Sequence, residues 1–291
     1  MKKLILLLAI AMICLNVLAQ EDSVKTDLNK DTIRIGGMII VKKGKGDKDK
    51  RLSVKIGDDN SKKKKSNLST NWWIIDLGFS NYNDKTDYTN TGSYLINRPG
   101  YPALNKNDFK LKGGKSMNVN IWVFMQRINL IKHHVNLKYG FGLELNNYRY
   151  KSAVNYNEGG LVPYTANTQT NVPFIFRDSI AFSKNKLAAD YATIPLMLNF
   201  VTNPDQPKKG VSFSLGVSAG YLYSQRNKQK SNERGKLKNK GDYDLAHFKF
   251  SYVAEIGIGP VRLYGSFSPK SIYERSLDMR PYNMGFRFSF W

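Results

Sequence analysis

Between residues 135 and 146 apolar and polar side chains change places at every step. Val135, Leu137, Tyr139, Phe141, Leu143 and Leu145 share one face of an extended chain, while Asn136, Lys138, Gly140, Gly142, Glu144 and Asn146 share the other. Such a period of two belongs to a β-strand whose faces meet different surroundings. It recurs at 211–221, where Val, Phe, Leu and Tyr alternate with Ser and Gly. It returns at the carboxyl end, where Met284, Phe286, Phe288 and Phe290 oppose Asn283, Gly285, Arg287 and Ser289. Eight segments of this kind are predicted, over 72–80, 115–129, 133–149, 186–202, 210–225, 245–258, 260–269 and 281–291. Ile194-Pro195-Leu196 breaks the alternation of the fourth, and because proline cannot donate to a ladder a bulge or irregularity is predicted there.

The connections run long, short, long, short, long, short, long. The long ones span about 81–114, 150–185, 226–244 and 270–280; the short ones are Leu130-Ile131-Lys132, the turn from Asn203 to Lys209, and Gly259-Pro260. An even strand number with short turns at one end and long loops at the other is the layout of an outer-membrane barrel, whose turns are periplasmic. The period alone does not say which face points outward, since a soluble barrel alternates with its greasy face inside. The polar face decides for a membrane: it holds Gly, Ser and the charges Asp76, Lys138, Glu144, Lys249, Glu255, Arg262 and Arg287, a poor lining for an apolar pocket. Aromatic residues near strand ends, namely Trp72, Trp73, Tyr148, Tyr150, Tyr221, Tyr223 and Trp291, suit interfacial girdles. The expected fold is all-β: an eight-stranded antiparallel up-and-down transmembrane β-barrel over 71–291, preceded by a short basic amino-terminal periplasmic extension.

Residues 1–19 read as a secretory signal, with Lys2 and Lys3 at its start, an apolar stretch from Leu4 to Leu15, and Val17-Leu18-Ala19 before the cut. The apolar stretch is well short of the ~20 residues that span a bilayer. Ile13 before Cys14 does not suit a lipid anchor. Removing the signal removes the chain's one cysteine, which excludes disulfides, thiolate metal sites and cysteine nucleophiles. In the extension, 20–70, the apolar patch at 33–41 predicts a short strand or hairpin. The segment 42–65, with eleven Lys or Arg against four acidic residues, predicts a basic, partly disordered tether. The formal net charge of +22 would favour nucleic acid in a cytoplasmic protein, and export argues against that partner.

An eight-stranded barrel is just wide enough for side chains to fill it, so the lumen charges are read as structural pairs. Arg287 faces Asp76 across the seam between the last and first strands, Glu255 lies diagonal to Arg262 through the two-residue turn, and Lys138 and Glu144 belong to the same set. In the third outer loop Arg226, Lys228, Lys230, Arg234, Lys236, Lys238 and Lys240 suit contact with lipopolysaccharide phosphates. His133 and His134 fall in a short turn. His247 lies near the outer end of the sixth strand, where membrane lipases and lipid A deacylases of similar size keep catalytic His and Ser. No accompanying Ser and acid can be specified, so no catalytic, metal or cofactor residue is assigned.

The Ile194-Pro195-Leu196 strand, the Gly259-Pro260 turn and the closing Phe288-Ser289-Phe290-Trp291 together resemble the PorT-like outer-membrane β-barrel family of the Bacteroidota, over residues 70–291. The alternating end Phe286, Phe288, Phe290 and Trp291 resembles the signal read by the barrel-insertion machinery. The resemblance implies an outer-membrane location, and the alternation of connection lengths puts the amino terminus in the periplasm. The resemblance also implies an envelope or secretion complex as partner; outer-membrane lipid is the partner that a membrane barrel requires, and the lack of an assignable catalytic set points to a non-enzymatic interaction or assembly role. The alternatives are a lipid-modifying enzyme of the lipid A deacylase or phospholipase type, and a narrow channel for small solutes.

Overall fold

The computed structural model describes residues 32–35, 38–41, 53–55, 66–206 and 209–289. The chain divides into two compact units, Met1–Lys65 and Ser66–Trp291. In the first, where a short strand or hairpin was expected, Thr32–Ile35 pairs antiparallel with Met38–Val41, and Ser53–Lys55 adds a third antiparallel strand. That third strand comes from the segment expected to be a tether. The remainder of 42–65 lies outside the described residues.

The second unit is a closed ring of eight strands: β1 (Leu68–Asp84), β2 (Met117–Ile131), β3 (Val135–Arg149), β4 (Lys184–Val201), β5 (Val211–Ser231), β6 (Phe248–Ile258), β7 (Val261–Phe267) and β8 (Met279–Phe288). Each pairs antiparallel with the next, and β8 returns to β1 from Phe288 opposite Ile75 to Met279 opposite Asp84. No strand edge is left open in such a ring, which satisfies the backbone without water. The turn between β6 and β7 has two residues, and Gly259 takes the positive φ of 57° that a tight hairpin asks of its first position. The segment 226–244, expected as a loop, is instead a hairpin: β5 runs on to Ser231 and Gly235–Lys240 folds back on it.

Burial settles which face is which. In β3 every even-numbered residue from Asn136 to Tyr148 is buried and every odd-numbered one is only partly covered, so the polar face lines the interior. Outside, Ile194, Leu196, Leu198 and Phe200 of β4 and Phe213, Leu215, Val217 and Tyr221 of β5 are exposed, as are Met284, Phe286 and Phe288 of β8. Soluble monomers do not leave an apolar band of this extent to water. From Val211 to Tyr223, at about 3.3 Å per residue and a strand tilt near 45°, the band on β5 is roughly 28 Å tall, the thickness of a bilayer's hydrocarbon layer.

One expectation about the strands is corrected and one is met. Tyr148 and Tyr150 were placed in the girdle, yet both are 1% exposed and point inward. Trp72, Trp73, Tyr221 and Tyr223 do face out, with Trp72 against Phe124 near one rim and Tyr221 against Phe248 near the other. The irregularity expected at Ile194-Pro195-Leu196 is present as a gap in the ladder to β3, and a separate bulge in the ladder to β5 lies between Asp190 and Tyr191. At Ile194 and Pro195 the ladder to β3 merely skips, because the ring nitrogen has no hydrogen to give, and the register resumes unchanged at Leu196.

Candidate functional site: a filled lumen, a closed cap and a cationic wall

The interior of the ring is crossed by ion pairs. Arg287 stands opposite Asp76 in the β8–β1 register. Its Nε donates to Asp76 Oδ1 at 2.7 Å and its Nη2 to Asp76 Oδ2 at 2.7 Å, a two-pronged bond across the closing seam. Trp122 Nε1 and Asn120 Nδ2 donate to the same carboxylate at 2.7 and 3.1 Å, and the Arg287 guanidinium lies 5.5 Å from the Trp122 ring centroid. Gly142 makes room for that indole, since a Cβ there would sit 2.7 Å from the Trp122 ring.

The partners of the other charges differ from expectation. Glu255 is paired with Lys138 and with Arg287, across the lumen, in place of Arg262. Arg262 lies opposite Gly257 and donates to Ser212 Oγ at 3.4 Å. Glu144 takes Lys249 rather than Lys138, and also accepts from Asn146 and Asn283 at 3.1 and 3.0 Å. The register across the β6–β7 turn is as read from the sequence; the reach of Lys138 across the barrel is not a property of any one hairpin. Asp76, Glu144 and Glu255 balance Lys138, Lys249 and Arg287, so this buried layer is close to neutral, as burial of charge requires. A cavity of about 30 Å³ beside Trp122, Glu144, Glu255 and Arg287 holds room for about two water molecules.

At the long-loop end the four connections pack onto one another. Tyr94, Leu104 and Phe109 from the first, Tyr150, Val154 and Ile175 from the second, Tyr243 and Leu245 from the third, and Ile272, Tyr273 and Leu277 from the fourth form a buried cluster. Phenol groups tie it: Tyr150 to Tyr156 at 2.6 Å, Tyr156 to Tyr273 at 2.7 Å, and Tyr94 to the Tyr243 carbonyl at 2.8 Å. Burial pushes the Tyr150 hydroxyl up to about 12, and Tyr94, Tyr156 and Tyr273 well above their ordinary value, so these rings stay protonated donors. Arg177 holds Asp108 through both carboxylate oxygens, joining the first and second connections. This cap had no signature in the sequence, because its tyrosines are scattered through segments without a period.

The seven candidate cations divide. Arg226 is bound to Asp190, and Arg234 Nη1 to Asp178 at 2.7 Å. Lys228, Lys230, Lys236, Lys238 and Lys240 have no acidic partner among the described residues. His133 and His134 sit at the β2–β3 turn, where His134 Nδ1 meets the Val201 carbonyl at 2.8 Å. His247 Nδ1 is 3.0 Å from Glu274 Oε1, and that hydrogen bond raises the imidazole's pKa and lowers the carboxyl's. Phe286 and Phe288 face outward on β8, while Phe290 and Trp291 lie outside the described residues.

No curated protein sequence matches the chain. Among solved structures, Ail, the attachment invasion locus protein of Yersinia pestis, in complex with the heparin analogue sucrose octasulfate, shares 12% identity and covers 75% of this chain and 99% of its own, at a TM-score of 0.28. The model of the outer membrane protein beta-barrel domain matches residues 73–277, from the first strand of the ring to the last connection. With that match laid over a ring whose greasy face points outward, the chain belongs to the outer-membrane β-barrel protein family and resides in the outer membrane.

Proposed function

We propose that this chain is a non-enzymatic interaction protein of the outer membrane, acting through its surfaces in envelope or secretion assembly. The observation that carries the reading is the occupied interior: the Asp76–Arg287–Glu255–Lys138 chain crosses the lumen, and the tyrosine cluster covers its loop end. A barrel closed in this way offers a partner its outer wall, its cap and its amino-terminal extension. Short turns lie at the end where β1 begins, and this supports a periplasmic amino terminus. The PorT-like resemblance and the outward Phe286 and Phe288 support delivery by the barrel-insertion machinery.

In planar bilayers the purified protein is expected to give no unitary conductance steps. Regular steps would replace this reading by the narrow channel. Cross-linking in cells from the 42–65 segment is expected to yield a discrete adduct with an envelope protein.

One observation favours a second reading, the lipid-modifying enzyme. Ser224 and His247 line one open groove of about 290 Å³ at the outer rim, and Glu274 orients the His247 ring. Mass analysis of lipid A and phospholipids from cells with and without the protein separates the two. Unchanged acyl chains are expected; loss of one acyl chain that His247→Ala abolishes would establish the enzyme.

A further inference from the structure

The register of β3, β4, β5 and the Gly235–Lys240 strand sets cations side by side. Arg149 stands opposite Lys186, Lys186 opposite Lys228, and Lys228 opposite Lys238, one unbroken row across four strands. One step further out, Lys184 stands opposite Lys230, and Lys230 opposite Lys236. Directly opposed residues project to the same face with Cβ atoms roughly 5 Å apart, and like charges there repel. A fold that keeps two such rows with no ion pair to an acid among the described residues is poised to be relieved by an anion.

The direction of these rows is set by one residue. On β5 the outward residues are odd-numbered up to Tyr223. The register then passes from Leu222 opposite Tyr191 to Ser224 opposite Asp190, leaving Tyr223 unopposed. Beyond this bulge the odd-numbered Asn227, Gln229 and Ser231 are buried, and the even-numbered lysines turn outward. Without the extra residue the lysines would enter the cap. They continue the same wall as the lipid-facing band, immediately beyond the aromatic rim of Tyr221 and Tyr223, and so look sideways into the head-group layer. On β3, Arg149 likewise follows Leu143 and Leu145 on one face. Where acids do lie close, they have taken Arg226 and Arg234 out of play.

We infer that this ladder is a docking wall for the phosphate groups of lipopolysaccharide in the outer leaflet. The inference rests on the proposed surface role and names the partner of one surface. Each ammonium and the guanidinium supply charge-assisted donors to phosphate oxygens, and a lipid held there is oriented with its acyl chains against the apolar band below. The groove bordered by Tyr223, Lys240 and His247 continues the wall toward the cap and has space for part of a sugar ring.

The test uses the full mature chain extracted in detergent, with bisphosphorylated lipid A and chemically dephosphorylated lipid A as probes. The wild type is expected to bind the phosphorylated form at least about tenfold more tightly, an effect that rising salt weakens. A variant carrying Lys184→Gln, Lys186→Gln, Lys228→Gln and Lys238→Gln is expected to lose that preference, and one carrying Arg at the same four positions to keep it. Equal binding of both lipids by the wild type, or an unchanged preference in the Gln variant, overturns the inference. Tighter binding of a soluble sulfated polysaccharide than of lipid A overturns it in favour of a soluble polyanion. Each sample is run unheated and boiled on a detergent gel. A compact unheated band with no phosphate preference sinks this inference alone, whereas a wild type without a compact band sinks the barrel reading beneath it.

Discussion

Arg287→Met is expected to destabilise the barrel by about 3–5 kcal/mol, the cost of removing one partner from a buried ion pair. Arg287 is the cation bonded to Asp76, whose other hydrogen-bond donors, Asn120 and Trp122, are neutral, and it also meets Glu255. Methionine fills much of the same space, so the loss is one of charge and hydrogen bonds. Two carboxylates are left in the lumen, with Lys138 to answer one of them. The readout is the temperature at which the compact band of detergent-extracted protein converts to the slow one. It should fall well below that of the wild type, and Asp76→Leu added to Arg287→Met should recover part of the drop by removing the stranded charge. An unchanged transition in the single variant would mean that Arg287 does not help to close the ring.

Gly285→Val is expected to prevent the compact form altogether. Gly285 stands opposite Gly78 at the seam, and the two strands pass so close that a Cβ on Gly285 would lie 2.2 Å from the Leu77 carbonyl oxygen and 2.4 Å from the Gly78 Cα. Both obstacles are backbone, so relief requires parting β8 from β1, well beyond the ~1–3 kcal/mol of ordinary overpacking. Gly265 supplies the control. It sits one strand away with its nearest contact at 3.8 Å, and Gly265→Ala should run as a compact band of ordinary thermal stability. Equal tolerance of both substitutions would contradict the close seam.

The two sites differ in how readable they were. Period two, strand number and the alternation of loop lengths follow from local chemistry, and they place Asp76 and Arg287 on the polar face at similar heights. Opposition across the seam then follows from closure alone. The Glu255 pairing is different, because Lys138 reaches it from the third strand across the lumen, and three-dimensional proximity of that kind leaves no trace in spacing. Tyr148 and Tyr150 were misread for a related reason: aromatic residues near strand ends serve a membrane rim or a cap equally well. Parity along β3 puts Tyr148 with Glu144 and Asn146 on the inward face, and that signal outweighs residue type. The cationic rows were hidden by the bulge at Tyr223, which changes the face of every residue after it. A run of lysines at even numbers reads as a loose loop until that one-residue shift is known.

The same geometry relates the parts to one another. Ion pairs cross the lumen, and Arg177, Arg234 and Arg275 hold Asp108, Asp178 and Asp244 in the cap. Its apolar wall, aromatic rims and lysine rows form consecutive zones along β5, in the order in which a bilayer presents hydrocarbon, interface and head groups.

The mobility of the membrane-extracted protein on a detergent gel before and after boiling tests the closed, outward-greasy ring most directly. A ring with its greasy face outward and its strands closed through Arg287 and Asp76 predicts a compact, faster band that boiling converts to the full-length position. A single unshifted band from a protein recovered in the soluble fraction would contradict it, and would turn the apolar faces inward.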